Sequence, residues 1–436
     1  MRNTAVRAMM AFVGLLVAAA AADVHVAMDR HACVGELTSQ TGVEVGLFGE
    51  MANTGTSTLN VQCALVTSQP EAWLPPGVCI GVSCFPSDMD FSVELPPGAQ
   101  LEVHLSFYPF DTAGKGVYWF RYANAARADS VRLEIFSGVE SLLVDDDGEG
   151  DSQRFVERSI PGNRVFLTWD QSLEPLALSD VALLERIVWI TGSASAGCIT
   201  EDEAEVMTAL LQDGGKLLLS GQNALEGEVG AAFGQDELGA SVQSTSVESR
   251  HVRGVAGTVF DLISFDIAGG DGADNQTSPD ALSPEGLAVR ALRYESGEIA
   301  AVGRIGQDGR RSLACGFGIE ACADSTVLEE SLDFFLSWLD GDVSGDVAQP
   351  AAPLMVSLGP NPSRGILAVS LGIPAGSPVR ILLADLSGRA VCGLFDGPWP
   401  APLLTLPDVS QGTYVVRVHT PSACSAHPLI ILEGTK

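Results

Sequence analysis

The chain has 436 residues, 46% hydrophobic and 18% charged. That composition describes a globular protein, and at roughly 150 residues per domain the length suggests about three cores. Acidic residues outnumber basic ones 55 to 24, for a formal net charge of −31, which argues against nucleic acid and anionic membrane as partners and suits solubility or attraction of calcium.

Residues 1–22, MRNTAVRAMMAFVGLLVAAAAA, place Arg2 and Arg7 before an apolar run that ends in small residues. The run is shorter than the roughly 20 apolar residues a bilayer span needs, so it predicts a cleaved secretory signal. Its removal takes away two arginines and no acid, leaving 22 basic against 55 acidic residues and a net charge of −33. No later segment reads as a membrane helix. In an oxidising compartment, nine cysteines favour disulfides over metal thiolates. Cys33, Cys63, Cys79 and Cys84 fall together and allow three pairings, among which the CIGVSC spacing favours Cys79 with Cys84. Cys198, Cys315, Cys322, Cys392 and Cys424 follow, and the odd total leaves one without a partner in a monomer. None has the paired CxxC spacing of a zinc site.

Residues 23–139 contain short alternating segments, SVEL, LEVHLSF, GVYWFRY and SVRLEIF, separated by expected turns at NTGTS, LPPG and DTAGKG. Period-two patterning with frequent turn signals predicts a β-sandwich. Trp73 and the LPPG after it resemble the immunoglobulin-like modules at the front of many bacterial secreted proteins.

From residue 140 the pattern changes. SLLV and RIVWITG are continuous apolar runs, as expected of strands buried on both faces of a parallel sheet. Between RIVWITG and KLLLSG, Thr200 and Glu203 form a capping box, Ala204, Met207 and Leu211 make an apolar face, and Gly214 ends the helix. This is a βαβ unit. RSLACGFG then predicts another strand, and STVLEESLDFFLSWLDG a helix burying Leu328, Leu332, Phe335 and Leu339. Residues 140–340 therefore predict an open parallel α/β sheet of flavodoxin-like type. Residues 341–353, small, polar and proline-containing, read as a linker. From 354 to 436, PVRILLADLSGRAV, LLTLP, GTYVVRVHT and PLIIL predict a second, small β-sandwich.

GPNPSRG, ADLSGRAV and QGTYVVRV together resemble the type A sorting domain of the type IX secretion system, which shares its immunoglobulin-like form with a flagellar-hook capping module. The matching residues are Pro360, Asn361, Pro362, Asp385, Gly388, Arg389, Gly412 and Tyr414. The resemblance implies recognition by the type IX machinery, passage through a bacterial outer membrane, and removal of the domain or its exchange for a surface anchor. A permanent terminal sandwich is the alternative.

The phrases LLVDDDG, ITGS, GGKLLLSGQ and GFGIE resemble class I glutamine amidotransferase-like domains. Catalytic members carry a cysteine at a strand-to-helix elbow and a His-x-Glu pair after a later strand. Here Ser220, Gly221 and Gln222 occupy the elbow without a cysteine, and Leu218 stands where a GxSxG elbow needs glycine. The His-x-Glu pair falls on Gly318 and Glu320, so the base is missing. His251 is the one histidine of the region that could serve Ser220, and without a base a serine is not activated.

Two acidic loops are candidate binding elements. LLVDDDGEGD places Asp145, Asp146, Asp147, Glu149 and Asp151 after the first strand, where open α/β sheets hold ligands. GGDGADNQTSPD, 269–280, offers Asp271, Asp274, Asn275 and Gln276. Such oxygens suit calcium or a carbohydrate, although neither loop has EF-hand spacing, and solvated loops are the plainer expectation. No HExxH, P-loop or supported GxGxxG occurs. The sequence thus describes a secreted or surface-displayed bacterial protein with a non-catalytic central domain that binds a glycan or envelope protein or acts as a spacer. An unorthodox hydrolase using Ser220 is the alternative.

Overall fold

The computed structural model describes residues 23–37, 43–148, 150–194, 197–306, 309–343, 356–363, 366–371, 378–384, 390–399, 403–405, 409–419 and 424–432. The expected signal, residues 1–22, most of the expected linker, Glu149, and Asp385, Gly388 and Arg389 lie outside these residues. The described chain is mostly β structure in several sheets, and it divides into two compact units, 1–139 and 140–436.

The first unit has two five-stranded sheets. One orders Val24–Met28, Val45–Asn53, Gln100–Tyr108, Leu74–Ile80 and Ser83–Pro86; the other orders Ala32–Gly35, Ala128–Ser137, Gly114–Ala123, Leu59–Ser68 and Phe91–Leu95. Alternate residues of both sheets, among them Val26, Met51, Val78, Leu105, Val61, Phe120 and Ile135, share one apolar core, so the period-two pattern produces the sandwich it predicts. Trp73 is buried, with its indole N–H on the Thr112 carbonyl at 2.8 Å. The LPPG after it is a correction to the turn reading: Leu74–Gly77 begins a strand, and the prolines, which cannot donate to a ladder, sit where the register shifts between Leu74 and Gly77. A second LPPG, Leu95–Gly98, does leave its strand for a turn. Cys79 and Cys84 are cross-strand partners and form a disulfide. Cys63 and Cys315 are instead packed among apolar side chains in separate cores, and burial raises both thiols.

In the second unit, five parallel strands carry the architecture: β1 (Ser141–Asp145), β2 (Leu167–Asp170), β3 (Arg186–Gly192), β4 (Lys216–Gly221) and β5 (Arg311–Cys315). Their spatial order is β2-β1-β3-β4-β5. The interiors of β1, β3 and β4 are fully buried, which explains their unbroken apolar runs. Between β3 and β4 the helix Glu201–Gln212 begins with the capping box: Thr200 Oγ1 accepts from Glu203 N at 3.3 Å, and Glu203 Oε2 accepts from Thr200 N at 2.8 Å. Its buried face is Val206, Met207, Leu210 and Leu211, turned from the expected one so that Ala204 is only half-buried. The helix Ser325–Asp340 buries Leu328, Leu332, Phe335 and Leu339 as expected.

Beyond β5 the sheet is not parallel, which corrects the expectation of an all-parallel sheet. Ile299–Ile305, Val289–Tyr294, His251–Gly254 and Ser264–Asp266 add antiparallel strands in that order, with Ala281–Pro284 and Ala240–Ser244 branching from Ile299–Ile305. Most of these strands are short, and His251–Gly254 and Val289–Tyr294 carry arginines at positions that are not buried, so only Ile299–Ile305, with IAAV, has an apolar run like those of β1, β3 and β4.

The C-terminal strands form a sheet of Val356–Gly359, Ile366–Leu371 and Leu403–Thr405 and another of Ala390–Pro398, Pro378–Ala384, Gly412–His419 and Cys424–Ile431. Leu367, Val369, Ile381, Leu383, Val416, Val418 and Leu429 form their common core. Asn361 stitches the GPNPS segment to the last strand by donating to Pro428 O and accepting from Ile430 N, both at 2.9 Å, while Pro360 and Pro362 are exposed. Gly412 opens its strand, and Tyr414 packs against the core with its hydroxyl on Ser410 O at 2.8 Å.

The opposite, N-terminal edge of the parallel strands is tied by charge. Asp340, the last residue of its helix, receives Arg164 at 2.6 Å, Arg186 at 2.8 Å and Lys216 at 3.7 Å. An acid at a helix C-terminus opposes the helix dipole, and the three cations offset this. Burial raises the Asp340 carboxyl, but the Arg164 and Arg186 guanidiniums outweigh it and hold the group below the usual range. Stability from a depressed carboxyl is present above the unfolded value of about 3.9 and is lost as pH falls through the folded one. Asp340→Asn is therefore expected to destabilise the unit by roughly 2 kcal/mol at neutral pH, less than loss of a fully buried pair because the cluster is partly solvated. Urea titrations by tryptophan fluorescence would show the gap closing toward pH 3; an unchanged midpoint at pH 7 would refute this role.

Candidate functional site

The C-terminal ends of β1, β3, β4 and β5 gather the polar groups of the central unit, and the strand order reverses between β1 and β3, where open α/β sheets leave a crevice. The loop after β1 lies at this end of the sheet. Asp146 accepts from the Trp189 indole N–H at 3.0 Å, and Asp147 Oδ2 accepts from Ser152 N at 2.8 Å. Gly192, at the end of β3, has φ +57, and a Cβ there would lie 2.7 Å from Asp147 Cβ, so the close approach of Asp147 requires glycine.

The second acidic loop arrives from the other side, and the two loops meet over Glu320. This residue follows β5 in a short 3₁₀ turn, Ile319–Ala321, and is wholly buried. Glu320 Oε1 accepts from Asn275 Nδ2 at 3.0 Å and Gln276 Nε2 at 3.4 Å. Asn275 Nδ2 also reaches Ser152 Oγ at 3.3 Å, which links the loops directly, and Gln276 Oε1 accepts from Gly318 N at 2.8 Å. The Asp147 carboxyl is hydrogen-bonded to that of Asp145, and the Glu320 carboxyl also accepts from its own backbone N–H. At Gly318 a Cβ would overlap the Glu320 carboxyl, so the acid occupies the space a side chain there would need.

The other expected loop residues do different work. Asp271 accepts from Ser325 N at 3.0 Å and Ser325 Oγ at 2.8 Å, fastening the loop to the start of the Ser325–Asp340 helix. Asp274, exposed, accepts from Gly269 N at 2.8 Å and closes its own turn. Sequence reasoning missed Asp280, whose buried carboxylate accepts from Asn223 N at 2.8 Å, and Gln222, whose Oε1 accepts from Thr277 N at 2.7 Å and Ser278 N at 2.8 Å. The one available signal was an acid set against the apolar start of a strand in SPDAL.

Ser220 is fully buried. Its Oγ donates to Phe317 O at 3.2 Å and accepts from Ile319 N at 2.8 Å, so the hydroxyl joins β4 to the first amide of the 3₁₀ turn. At Gly221 an added Cβ would overlap Thr191 Oγ1, and the elbow has no room for a side chain unless Thr191 turns away. His251 is not directed at Ser220. Its Nδ1 meets Asp266 Oδ1 at 2.8 Å and its Nε2 meets Ser264 Oγ at 3.2 Å, on an outer antiparallel ribbon where Ser264 and Asp266 are exposed.

The crevice carboxyls are held toward their neutral forms. Burial first, then the charge of Asp147, pushes Asp145 up to about 8; burial and Glu203 push Asp146 up to about 7. Burial raises Glu320 to about 7, against the lowering bond from Asn275, and burial raises Asp280 to about 7 against the bond from Asn223 N. Among the described residues no group of three or more His, Cys, Asp or Glu side chains is arranged to hold a metal ion, and no helix is long and apolar enough to cross a membrane.

No protein-family model matches the chain, and no curated protein matches it. Among solved structures, the N-terminal domain of PorA is 14% identical over 27% of this chain and 98% of that one, at a TM-score of 0.20. The CooA pilin subunit from enterotoxigenic Escherichia coli is 7% identical over 26% of this chain and 96% of that one, at 0.21, and a family 123 glycoside hydrolase from Clostridium perfringens is 7% identical over 45% and 48%, at 0.19. Likenesses of this size carry no functional argument.

An acid whose folded value is raised keeps its proton in the folded chain over a range where the unfolded chain has lost it. Stability is then greatest at low pH and declines as pH rises through the folded value. The melting temperature is expected to fall from about pH 5 to about pH 8, and Glu320→Gln should flatten part of that slope. A rising slope, or one untouched by the substitution, would contradict the assignment. Gly318→Ala, which forces the carboxyl aside, should cost roughly 1–3 kcal/mol in the same melts.

Proposed function

We propose that the chain is an exported, surface-displayed bacterial protein whose central domain is a flavodoxin-like, amidotransferase-like module that binds a small polar ligand without transforming it. The observation that carries the binding reading is the meeting of two sequence-distant loops over a buried carboxyl at the C-terminal edge of a parallel sheet. The order β2-β1-β3-β4-β5, which is that of flavodoxin-like sheets, supports the fold reading. The two backbone bonds and complete burial of Ser220 support the non-catalytic reading. The terminal sandwich is the sorting domain by which type IX machinery exports the chain, and Asn361, bonded to the last strand, explains why its motif needs an amide between the two prolines.

A second reading, hydrolysis, is favoured by one observation: His251 stands between Ser264 and Asp266 in the hydrogen-bonded sequence of a serine triad. Asp266 is exposed, so it orients the ring less firmly than the buried acid of an efficient triad.

Peptide mapping of protein recovered from the host envelope and medium is expected to find a chain that begins near Asp23 and ends shortly before Pro353. An intact Lys436 in every fraction would overturn the sorting role. Fluorophosphonate labelling is expected to leave Ser220 unmodified; a label lost in Ser264→Ala would establish the hydrolytic reading in place of the binding one. In a thermal-shift panel of sugars, amines and amino acids, a stabilising compound whose effect disappears in Asp147→Asn is expected. A panel with no such compound would leave the domain as a structural spacer.

A further inference from the structure

In the first unit, the strand Gly114–Ala123 alternates in a way that leaves one aromatic on the wrong side. Tyr118, Phe120 and Tyr122 turn into the sandwich core, so Trp119, Arg121 and Ala123 turn outward. Cross-strand register places Trp119 beside Val66, and the two are 40% and 39% exposed. Tryptophan is mostly buried in folded chains, so a large apolar pair left at the surface is the informative exception. Next to this pair the side chains shorten: Arg121 stands between Ser130 and Ala64, and Ala123 faces Ala128. An open cavity of about 560 Å³ lies over these positions, with Arg121, Gln62 and Asp90 in its lining. Its size falls within the roughly 300–1,000 Å³ of small-molecule sites.

The polar groups of this cavity are left to solvent rather than to one another. Among the described residues, neither Arg121 nor Asp90 makes a side-chain hydrogen bond or an ion pair, whereas Arg132 is tied to Glu134 and Asp129 to Arg127. Gln62 spends an amide N–H on Asn60 Oδ1 at 3.3 Å, and its Oε1 accepts nothing. The cavity therefore presents donors from Arg121 and acceptors from Asp90 and Gln62, beside an indole ring that is flat and apolar on its face.

That combination selects a ligand class. A simple anion would meet Asp90 and a simple cation would meet Arg121, while the centre of a protein interface is depleted in charge. A sugar ring has a C–H face that covers an indole, and hydroxyls that both donate and accept, so it answers a cation and an anion set around one space. Trp119 and Arg121 are roughly 7 Å apart along the strand, a spacing that a chain of sugars covers. We infer that this face of the first unit binds a neutral oligosaccharide, with Trp119 stacked on one ring and Arg121, Asp90 and Gln62 bonding hydroxyls in the cavity beside it. The site lies in a different unit from the crevice at the parallel sheet and does not depend on the binding reading given for that crevice.

The test is isothermal titration calorimetry on the mature full-length chain at about pH 7 in roughly 150 mM salt, which screens diffuse attraction and repulsion. The probes are cellohexaose, mannohexaose, xylohexaose and maltohexaose, with hexagalacturonic acid as the acidic contrast. At least one neutral probe is expected to bind saturably, one per chain. Trp119→Ala and Arg121→Ala should each weaken it roughly tenfold or more while the protein still melts cooperatively, and Trp119→Tyr should recover most of the loss. Phe48→Ala, on the other sheet of the unit, and Asp147→Asn, in the central unit, should leave it unaltered. Failure of all four neutral probes to bind would overturn the inference, as would binding that survives both Trp119→Ala and Arg121→Ala. Binding lost in Asp147→Asn but kept in Trp119→Ala would overturn it by moving the sugar to the central unit. Tighter binding of the uronate than of any neutral probe would overturn the neutral class.

Discussion

A wholly buried carboxyl is among the most costly groups a protein interior can hold, and the C-terminal edge of the parallel strands is arranged around one. Glu320 reaches its place because β5 ends in GFG, with no side chain at 318 to block it. Its acceptor oxygen then requires donors, and the nearest are carried by the loop 269–280, which must descend onto the sheet to deliver Asn275 and Gln276. The loop is held there from three directions: Asp271 on the helix start, Gln222 on Thr277 and Ser278, and Gly318 N on Gln276. Polar residues that look like a solvated stretch in the sequence are thus mostly engaged with one another.

The two ends of the parallel sheet solve opposite electrostatic problems. At one end a single acid, Asp340, draws together Arg164, Arg186 and Lys216 from segments far apart in the chain. At the other end acids face acids, and burial with mutual repulsion holds Asp145, Asp146 and Glu320 well above the usual carboxylate range. The first arrangement favours folding as carboxylates ionise; the second resists ionisation. A unit with both has a stability profile set by their balance rather than by its net charge.

Much of the scaffold was legible because strong local patterns agree with the tertiary outcome. RIVWITG and KLLLSG are continuous apolar runs that only a sheet covered on both faces can bury, and Thr200 with Glu203 marks a helix start that packing did not override. The antiparallel extension was not legible, because segments such as VRALRY carry short alternation interrupted by charge. The same four letters, LPPG, form a bulged strand at Leu74 and a turn after Leu95, which no local rule separates. At the centre of these contacts, the loops were visible but their roles were not: Asp271 and Asp274 look like the acidic ligands, yet they hold the backbone, while Glu320 receives the amides of Asn275 and Gln276. Which acid turns inward depends on contacts more than 40 residues apart in the chain.

The occupied spaces at Gly221 and Gly318 also bear on what this fold can become. Any side chain arriving at 221 meets Thr191, and any arriving at 318 meets the Glu320 carboxyl together with the amides bound to it. A side chain at either position would therefore require its neighbour to move, at a cost in stability. The two neighbours, rather than the glycines themselves, thus set which groups this edge of the sheet can present.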